Sequence, residues 1–249
     1  MVMDLRTNLD FQAPQISVNS DMFRNLLKKC LTTGGGAQWV LEYESSTTSV
    51  FRTMSTAQIL RLVVEETLDK IYLKGWLSDE EYPDFTFAHK YLEKLFPTYY
   101  QEQRGFVISK TNLSIDWAFL KGADYFYFYS GQFVIFFGKL ESKDNSYSLV
   151  ASNTFGSTTV NTGDHYYCKK GNTFTCRLVG KIASYSYECG ENFSFVYVYD
   201  SLANKIVGSF PNLYVSNLGF DNALSDTTLG KKLLIKNLNN KTMMFDLNG

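Results

Sequence analysis

Two adjacent segments of the chain are apolar on both faces, and they limit the folds that it can adopt. Tyr125-Phe-Tyr-Phe-Tyr129 is aromatic at every position, and Phe133-Val-Ile-Phe-Phe137 follows it after a turn. A strand with one face in water alternates apolar and polar residues, whereas a strand buried on both faces is apolar throughout. We therefore expect two strands that are covered on both sides, because exposed strands of this composition would aggregate.

From Gly105 onward the apolar residues recur at every second position, which is the period of a β-strand. Turn-forming pairs such as Ser130-Gly131 and Asn239-Asn240 interrupt this pattern at short intervals. The pattern predicts strands at 105–109, 113–120, 124–129, 132–140, 146–151, 173–182, 193–200, 205–210, 232–237 and 241–247. Short strands joined by hairpins favour an antiparallel β-sandwich over alternating strands and helices.

The first hundred residues show helical periodicity in three places. Residues 21–31 follow a serine N-cap and end at a run of three glycines. Residues 55–73 open on a capping-box pattern, and residues 84–96 lie between two prolines. The sequence therefore predicts an N-terminal helix and two further amphipathic helices. We expect the second and third helices, or a neighbouring subunit, to cover the two apolar strands.

We interpret residues 1–249 as one mainly β (α+β) domain. Residues 1–36 are predicted to form a projecting N-terminal arm and helix, and residues 37–249 a β-sandwich core with covering helices. This core begins with a predicted hairpin between Trp39-Val-Leu-Glu-Tyr43 and Val50-Phe-Arg-Thr-Met54.

The charge balance argues against a free-standing nucleic-acid binder. The chain has 24 basic and 25 acidic residues, so it lacks the basic field that such proteins carry. A net charge near zero also removes the repulsion that keeps copies apart in solution. The 17 Tyr and 20 Phe offer large contact areas that suit interfaces as well as cores. This composition is compatible with a plain aromatic core and with a chain that packs against copies of itself.

We find no specific catalytic or metal-binding motif. His89 falls in the third predicted helix and His165 in a predicted loop, and no nucleophile elbow or phosphate-binding loop accompanies them. The four cysteines lack the spacing of a zinc site. Cys168 and Cys176 have the spacing to face each other across a hairpin, and whether they are bridged stays open. We expect neither catalysis nor a metal.

The chain also lacks targeting signals for export or for a membrane. Its first six residues contain no apolar segment of the kind found in a signal peptide. No run approaches the roughly 18 apolar residues that a membrane helix needs. We therefore expect a protein that is not secreted and has no membrane partner.

The order of these elements resembles that of the cypovirus polyhedrins, which crystallise inside infected insect cells as the matrix of occlusion bodies. The resemblance consists of the helix at 21–31, the hairpin from Trp39 to Phe51, the helix at 55–73, the Tyr-rich strands and the length of the chain. It covers the whole chain as a pattern and includes no diagnostic motif.

The resemblance implies a β-sandwich trimer whose projecting N-terminal helix clamps neighbouring trimers in a cubic lattice that embeds virus particles. It also implies nucleotides bound between subunits, a location in occlusion bodies in the cytoplasm of infected host cells, and dissolution in an alkaline gut. It identifies no nucleotide-binding residue in this sequence.

Two sets of residues are predicted to serve this role. An apolar stripe on the first helix is expected to bind another copy of the chain, and it consists of Phe23, Leu26, Leu27 and Leu31. Paired tyrosines are expected to ionise together and disperse the assembly between roughly pH 10 and 11. These candidate triggers are Tyr99, Tyr100, Tyr166, Tyr167, Tyr197 and Tyr199.

A capsid-like or attachment β-sandwich that binds glycans is the competing interpretation. Sugars bind to exposed aromatic rings beside polar groups, and Trp117 next to Asp116 is the candidate pair. An enzyme is the third possibility.

Overall fold

The structure is a computed structural model. It describes residues 4–7, 22–34, 38–54, 59–78, 106–110, 113, 117–130, 133–141, 147–152, 165–169, 177–178, 181–184, 193–200, 205–216, 232–236 and 242–247. In chain order the elements are β1 (Asp4–Thr7), α1 (Met22–Thr32), β2 (Val40–Glu44), β3 (Thr48–Arg52), β4 (Ile59–Glu66), β5 (Lys70–Ser78), β6 (Phe106–Ser109), β7 (Trp117–Lys121), β8 (Tyr125–Ser130), β9 (Phe133–Lys139), β10 (Tyr147–Ser152), β11 (His165–Lys169), β12 (Arg177–Leu178), β13 (Lys181–Ser184), β14 (Phe193–Asp200), β15 (Lys205–Ser216), β16 (Lys232–Lys236) and β17 (Thr242–Asp246).

The strands form three antiparallel sheets, so the mainly β prediction is confirmed. The N-terminal sheet has the order β2-β3-β4-β5-β6, and the central sheet has the order β1-β7-β8-β9-β10-β11-β12. The C-terminal sheet has the order β13-β14-β15-β17-β16. The predicted hairpin after Trp39 is confirmed as β2 and β3.

The predicted helix at 55–73 is wrong, because most of this stretch forms the hairpin of β4 and β5. Each residue of β4 from Ile59 to Val64 is buried, so both faces of the strand are covered. A continuous apolar run contains every periodicity, including the helical one, and therefore does not discriminate between the two structures. The adjacent Val63 and Val64 are β-branched and favour the strand. The predicted helix at 84–96 lies outside the described residues.

The strands predicted from residue 105 onward are largely confirmed. The predicted strand at 173–182 is divided into β12 and β13, and β11 occupies a segment in which no strand was predicted. β15 continues past Pro211 to Ser216, where its pairing with β14 is irregular. Asn212, in the middle of this irregularity, has a φ of 56°.

The central sheet is covered on both faces near β8 and β9, as expected, but the covering elements differ from the expectation. On one face Phe128 contacts Phe23 of α1 with ring centroids 5.2 Å apart, and Phe126 contacts Trp39 at 6.0 Å. On the other face Tyr127 contacts Phe245 of β17 at 4.8 Å. The cover thus comes from α1 and from the other two sheets of the same chain.

The helix predicted at 21–31 is confirmed as α1, but it does not project. Its side chains share one buried cluster with the N-terminal and central sheets. Phe23, Leu27 and Leu31 are each at most 1% exposed, and Leu26 packs against the same cluster. The apolar stripe of α1 therefore belongs to the core of its own chain.

Candidate functional site

Two tyrosines of β8 connect the central sheet to the C-terminal sheet. The hydroxyl of Tyr127 donates a hydrogen bond of 2.6 Å to the carbonyl oxygen of Pro211 in β15. The side-chain amide of Asn212 donates one of 3.0 Å to the hydroxyl oxygen of Tyr125. The two tyrosine rings meet edge to face, with centroids 5.9 Å apart. We call Tyr125, Tyr127, Pro211 and Asn212 the tyrosine junction.

The alternation along β8 explains why both hydroxyls reach the same sheet. Side chains at i and i+2 of a strand share a face, so Tyr125 and Tyr127 lie together while Phe126 faces α1. Phe136 extends the apolar part of the junction, with its ring 5.0 Å from Tyr127 and 5.0 Å from Phe210. The junction is therefore a hydroxyl pair set in an aromatic layer.

A glycine provides the space for Tyr125. Gly138 of β9 is the register partner of Tyr125 and has a φ of +143°, a conformation that L side chains rarely adopt. A Cβ at this position would overlap the Cα of Tyr125 and the carbonyl oxygen of Asp124. The close approach of β8 and β9 at this point thus requires glycine.

Glu141 lies beside the junction, at a second contact with β15. Its backbone exchanges two hydrogen bonds of 2.9 Å with that of Ser209, whose hydroxyl lies 3.5 Å from the Glu141 carboxylate. Partial burial raises the pKa of Glu141, and the hydrogen bond from Ser209 offsets part of this effect. In its ionised form this carboxylate is a negative charge near both tyrosines.

The surroundings keep both tyrosines neutral far above pH 7. Burial raises the pKa of Tyr125 to about 12, with a lowering contribution from the Asn212 hydrogen bond and a raising one from Glu141. Complete burial raises the pKa of Tyr127 well above its ordinary value, and the charges of Tyr125 and Glu141 add to this effect. The phenolate form is disfavoured because it loses its hydration inside the protein.

The trigger tyrosines predicted from the sequence are not those of the junction. Tyr166 and Tyr167 lie in β11, in register with Leu178 and Arg177 of β12. Tyr197 and Tyr199 lie in β14, in register with residues of β13 and β15. Tyr99 and Tyr100 lie outside the described residues. A role for these six tyrosines stays a prediction.

The sequence pattern did not identify Tyr125 and Tyr127 as site residues, although the segment from Tyr125 to Tyr129 has an unusual composition. The usable signal was the strict alternation of Tyr and Phe from 125 to 129, which places hydroxyls on one face of the strand and plain rings on the other. The partners of these hydroxyls were not readable from the sequence, because Pro211 is 84 residues away from Tyr127.

The glycan-binding interpretation loses its candidate residue. Trp117 is 3% exposed and packs in the core cluster, so its ring is not available to a sugar. Its neighbour Asp116 lies outside the described residues. Trp117 begins β7, in which every residue is buried. The sequence alone did not distinguish this strand from an exposed edge strand.

The histidines and cysteines show no catalytic arrangement in the part of the chain that the structure describes. His165 begins β11, which corrects its prediction as a loop residue, and His89 and Cys176 lie outside this part. Cys30 is a buried free thiol in the core cluster. Among the described residues, no group of three or more His, Cys, Asp or Glu side chains is placed to hold a metal ion.

A second polar cluster fixes the start of α1. The carboxylate of Glu66 is fully buried and accepts hydrogen bonds from the backbone N–H groups of Phe23 and Arg24, at 3.3 and 3.0 Å. The ammonium group of Lys110 lies 2.8 Å from the same carboxylate. This cluster joins the start of α1 to β4 and to Lys110, so it serves as an anchor for the helix.

Comparison of the chain with protein families, with curated proteins and with solved structures finds no match. No helix in the described ranges is long and apolar enough to cross a membrane. The function is therefore inferred from the residues and geometry of this chain.

Proposed function

We propose that this chain is a non-catalytic, self-assembling structural protein that forms the matrix of a viral occlusion body, as polyhedrins do. Copies of the chain pack around virus particles at neutral pH and come apart in alkali. The stacked sheets of each copy act as a β-sandwich building block. The observation that carries this proposal is the tyrosine junction, where the buried hydroxyl of Tyr127 and the part-buried hydroxyl of Tyr125 connect two sheets.

Tyr127 is the decisive residue of the junction, because its hydroxyl is the donor. A phenolate has no proton to give, so ionisation of Tyr127 removes the hydrogen bond to Pro211 and leaves a negative charge against a carbonyl oxygen. Tyr125 accepts its hydrogen bond from Asn212, and a phenolate still accepts. Ionisation of Tyr125 therefore acts through buried charge, whereas ionisation of Tyr127 acts through both charge and a lost bond.

The pH range of release follows from the direction of these shifts. A folded-state pKa above the unfolded value means that stability is fully present below the unfolded pKa and is lost as the pH rises through the folded one. The unfolded value for tyrosine is about 10, and the folded value for Tyr125 is about 12. The junction therefore stabilises the protein without loss below pH 10 and weakens it progressively above.

The experiment follows particle size and tyrosine ionisation together during an alkaline titration of the purified protein. Light scattering reports the size, and near-ultraviolet absorbance reports phenolate formation. We expect particles much larger than a trimer at pH 7 that disperse as late-titrating tyrosines ionise above pH 10. A protein that stays monomeric at pH 7, or particles that disperse before any phenolate forms, would overturn the proposal.

A further inference from the structure

The C-terminal sheet is formed by one continuous stretch of the chain. Its five strands lie between Lys181 and Asp246, and the last strand of the central sheet ends at Leu178. Two residues therefore connect the two sheets, and each described strand of the C-terminal sheet follows this connection. A contiguous segment with one connection can unfold without separating the strands of its neighbours.

Backbone pairing and core packing divide the chain at the same place. The strands of the C-terminal sheet pair with one another, and one isolated bridge, between Glu141 and Ser209, links the described backbone of this sheet to the end of the central sheet. The buried cluster around Phe23 and Phe128 joins α1 to the other two sheets, and it contains no described side chain of the C-terminal sheet. The C-terminal sheet is therefore held by contacts of its own.

Four consecutive residues of β15 each contact a different residue in β8, in β9 or just after β9. In order along β15 these pairs are Ser209 with Glu141, Phe210 with Phe136, Pro211 with Tyr127, and Asn212 with Tyr125. We call residues 209–212 the docking segment. Phe245 of β17 adds a ring contact with Tyr127. The docking segment thus supplies both polar partners of the tyrosine junction.

The docking segment overlaps a bulge of β15. Tyr197 of β14 is paired with Ser209 and Phe195 with Tyr214, so one residue of β14 lies opposite four of β15. A bulge leaves residues out of the ladder and bends its strand. Asn212, within this bulge, has a φ of 56°, in the left-handed region that few residues other than glycine occupy. The bulge is therefore a strained conformation that the contacts of the docking segment hold in place.

We propose that the C-terminal sheet, from β13 to β17, is a separate cooperative unit and that the docking segment is its latch: when the latch breaks, this sheet unfolds as a whole while α1 and the other two sheets stay folded. The proposal goes beyond the proposed function, because it concerns a single chain and needs no assembly. Loss of the tyrosine junction acts first on this unit. The partly unfolded chain exposes the face of β8 that carries Tyr125 and Tyr127.

The two parts of the chain differ in what opposes their unfolding. Unfolding of the N-terminal and central sheets exposes the large cluster that contains Trp39 and Phe137. Unfolding of the C-terminal sheet breaks its own pairing and the contacts of the docking segment, and it leaves that cluster covered. Parts of a protein that share few contacts open with different free energies. The opening that exposes less surface also depends less steeply on urea.

Native-state hydrogen exchange of the full-length protein tests the proposal. Chains in dilute solution at pH 7 exchange in increasing urea below the unfolding transition, and mass spectrometry compares peptides of β14, β15 and β17 with peptides of β3, β4 and β8. We expect the C-terminal strands to share one opening free energy and one urea slope, both below those of the other two sheets. A single common value for all peptides would overturn the proposal, and so would separate values for the individual C-terminal strands.

A variant in the large cluster makes the test sharper. Val64 of β4 is buried in this cluster, and Val64→Ala should accelerate exchange in β3, β4 and β8 roughly tenfold. Because the cluster stays intact while the C-terminal sheet is unfolded, exchange in β14, β15 and β17 should keep the wild-type rate. Equal acceleration in all peptides would overturn the proposal, since the chain would then be one cooperative unit.

A variant in the docking segment completes the comparison. Asn212→Ala removes the donor to Tyr125 and places alanine at a positive φ, so exchange in β14, β15 and β17 should accelerate roughly tenfold or more. Exchange in the other two sheets accelerates as well, because complete unfolding also breaks the latch. Asn212→Gly is the matched control, since glycine lacks the donor but suits this φ, and it should accelerate exchange less than alanine. Wild-type rates for the C-terminal strands of Asn212→Ala would overturn the role of the docking segment as a latch.

Discussion

Glu66 and Lys121 hold opposite ends of the same helix. The buried carboxylate of Glu66 accepts two backbone N–H groups at the start of α1, and the ammonium group of Lys121 donates to two carbonyl oxygens at its end. A negative group at the N-terminus and a positive group at the C-terminus both complement the helix dipole. Because the two residues belong to different sheets, α1 is fixed to the N-terminal and central sheets at once.

We expect Glu66→Gln to lower the free energy of unfolding by about 3–5 kcal/mol, because it leaves a buried ammonium group without its counter-charge. That group belongs to Lys110, 2.8 Å from the Glu66 carboxylate. Urea unfolding at pH 7 measures the change. The control is Glu44→Gln, which breaks the exposed pair with Lys28 and should cost less than about 1 kcal/mol. Equal losses for the two variants would contradict the anchoring role of Glu66.

Tyr127→Phe should destabilise the protein at pH 7 and protect it in alkali. At pH 7 the variant loses the hydrogen bond to Pro211, which costs about 1–3 kcal/mol when the carbonyl stays buried. Above pH 10 the wild type loses about 1.4 kcal/mol per pH unit through this one group, and the variant does not. Urea unfolding at pH 8, 10 and 11 should show the difference shrinking as the pH rises. Parallel losses in both proteins above pH 10 would exclude Tyr127 as a trigger.

Two truncations should separate the arm from the helix. Removal of residues 1–20 takes away β1 and should leave a folded chain, whereas removal of residues 1–31 also takes Phe23 and Leu27 from the core. Loss of large core side chains costs about 3–5 kcal/mol each, so we expect the longer truncation to unfold. Near-ultraviolet circular dichroism and binding of a hydrophobic dye report the outcome. A longer truncation that stays folded would show that α1 is detachable, as the sequence had suggested.

Gly138→Ala should destabilise the protein more than Gly34→Ala does. Both glycines have positive φ, 143° and 93°, so both substitutions introduce backbone strain. Gly34 is exposed beyond the end of α1, and its replacement should cost about 1 kcal/mol. At Gly138 the new Cβ also overlaps the backbone of Tyr125 and pushes apart β8 and β9. Urea unfolding compares the two variants, and a similar cost for both would mean that the strands separate easily.

Strands were predictable from the sequence where the local pattern of apolar residues favoured a strand over a helix. The segments around Tyr127 and Phe136 are short apolar runs separated by the turn pair Ser130-Gly131, which favours strands. The structure confirms both as strands covered on both faces. The segment from Ile59 to Val64 is equally apolar. Some of its apolar residues have helical spacing only because almost every residue is apolar, so the local pattern predicted a helix where the structure has a strand. The pairing of β4 with β3 and β5 decided the structure, and that pairing is not local.

The candidate site was less predictable than the fold, because its partners are distant in sequence. Tyrosine abundance led to the hypothesis of alkaline ionisation, but it did not identify which hydroxyls are buried. Likewise, the stripe of Phe23 and Leu27 was recognised as a docking surface, while its docking partner proved to be the central sheet of the same chain. Sequence periodicity shows that a face will be covered, and it does not show by what.

The central sheet packs between one layer that precedes most of it in the sequence and one that follows it, which has a consequence for synthesis on the ribosome. The N-terminal sheet and α1 emerge first, but their apolar face is completed by Trp117 and Phe137, which leave the exit tunnel later. The contact of Lys121 with Leu31 spans 90 residues, and that of Tyr127 with Pro211 spans 84. Such a high contact order slows folding and prolongs the lifetime of intermediates that expose hydrophobic surface and are prone to aggregate. We therefore expect the yield of native protein to rise when chaperones bind the nascent chain.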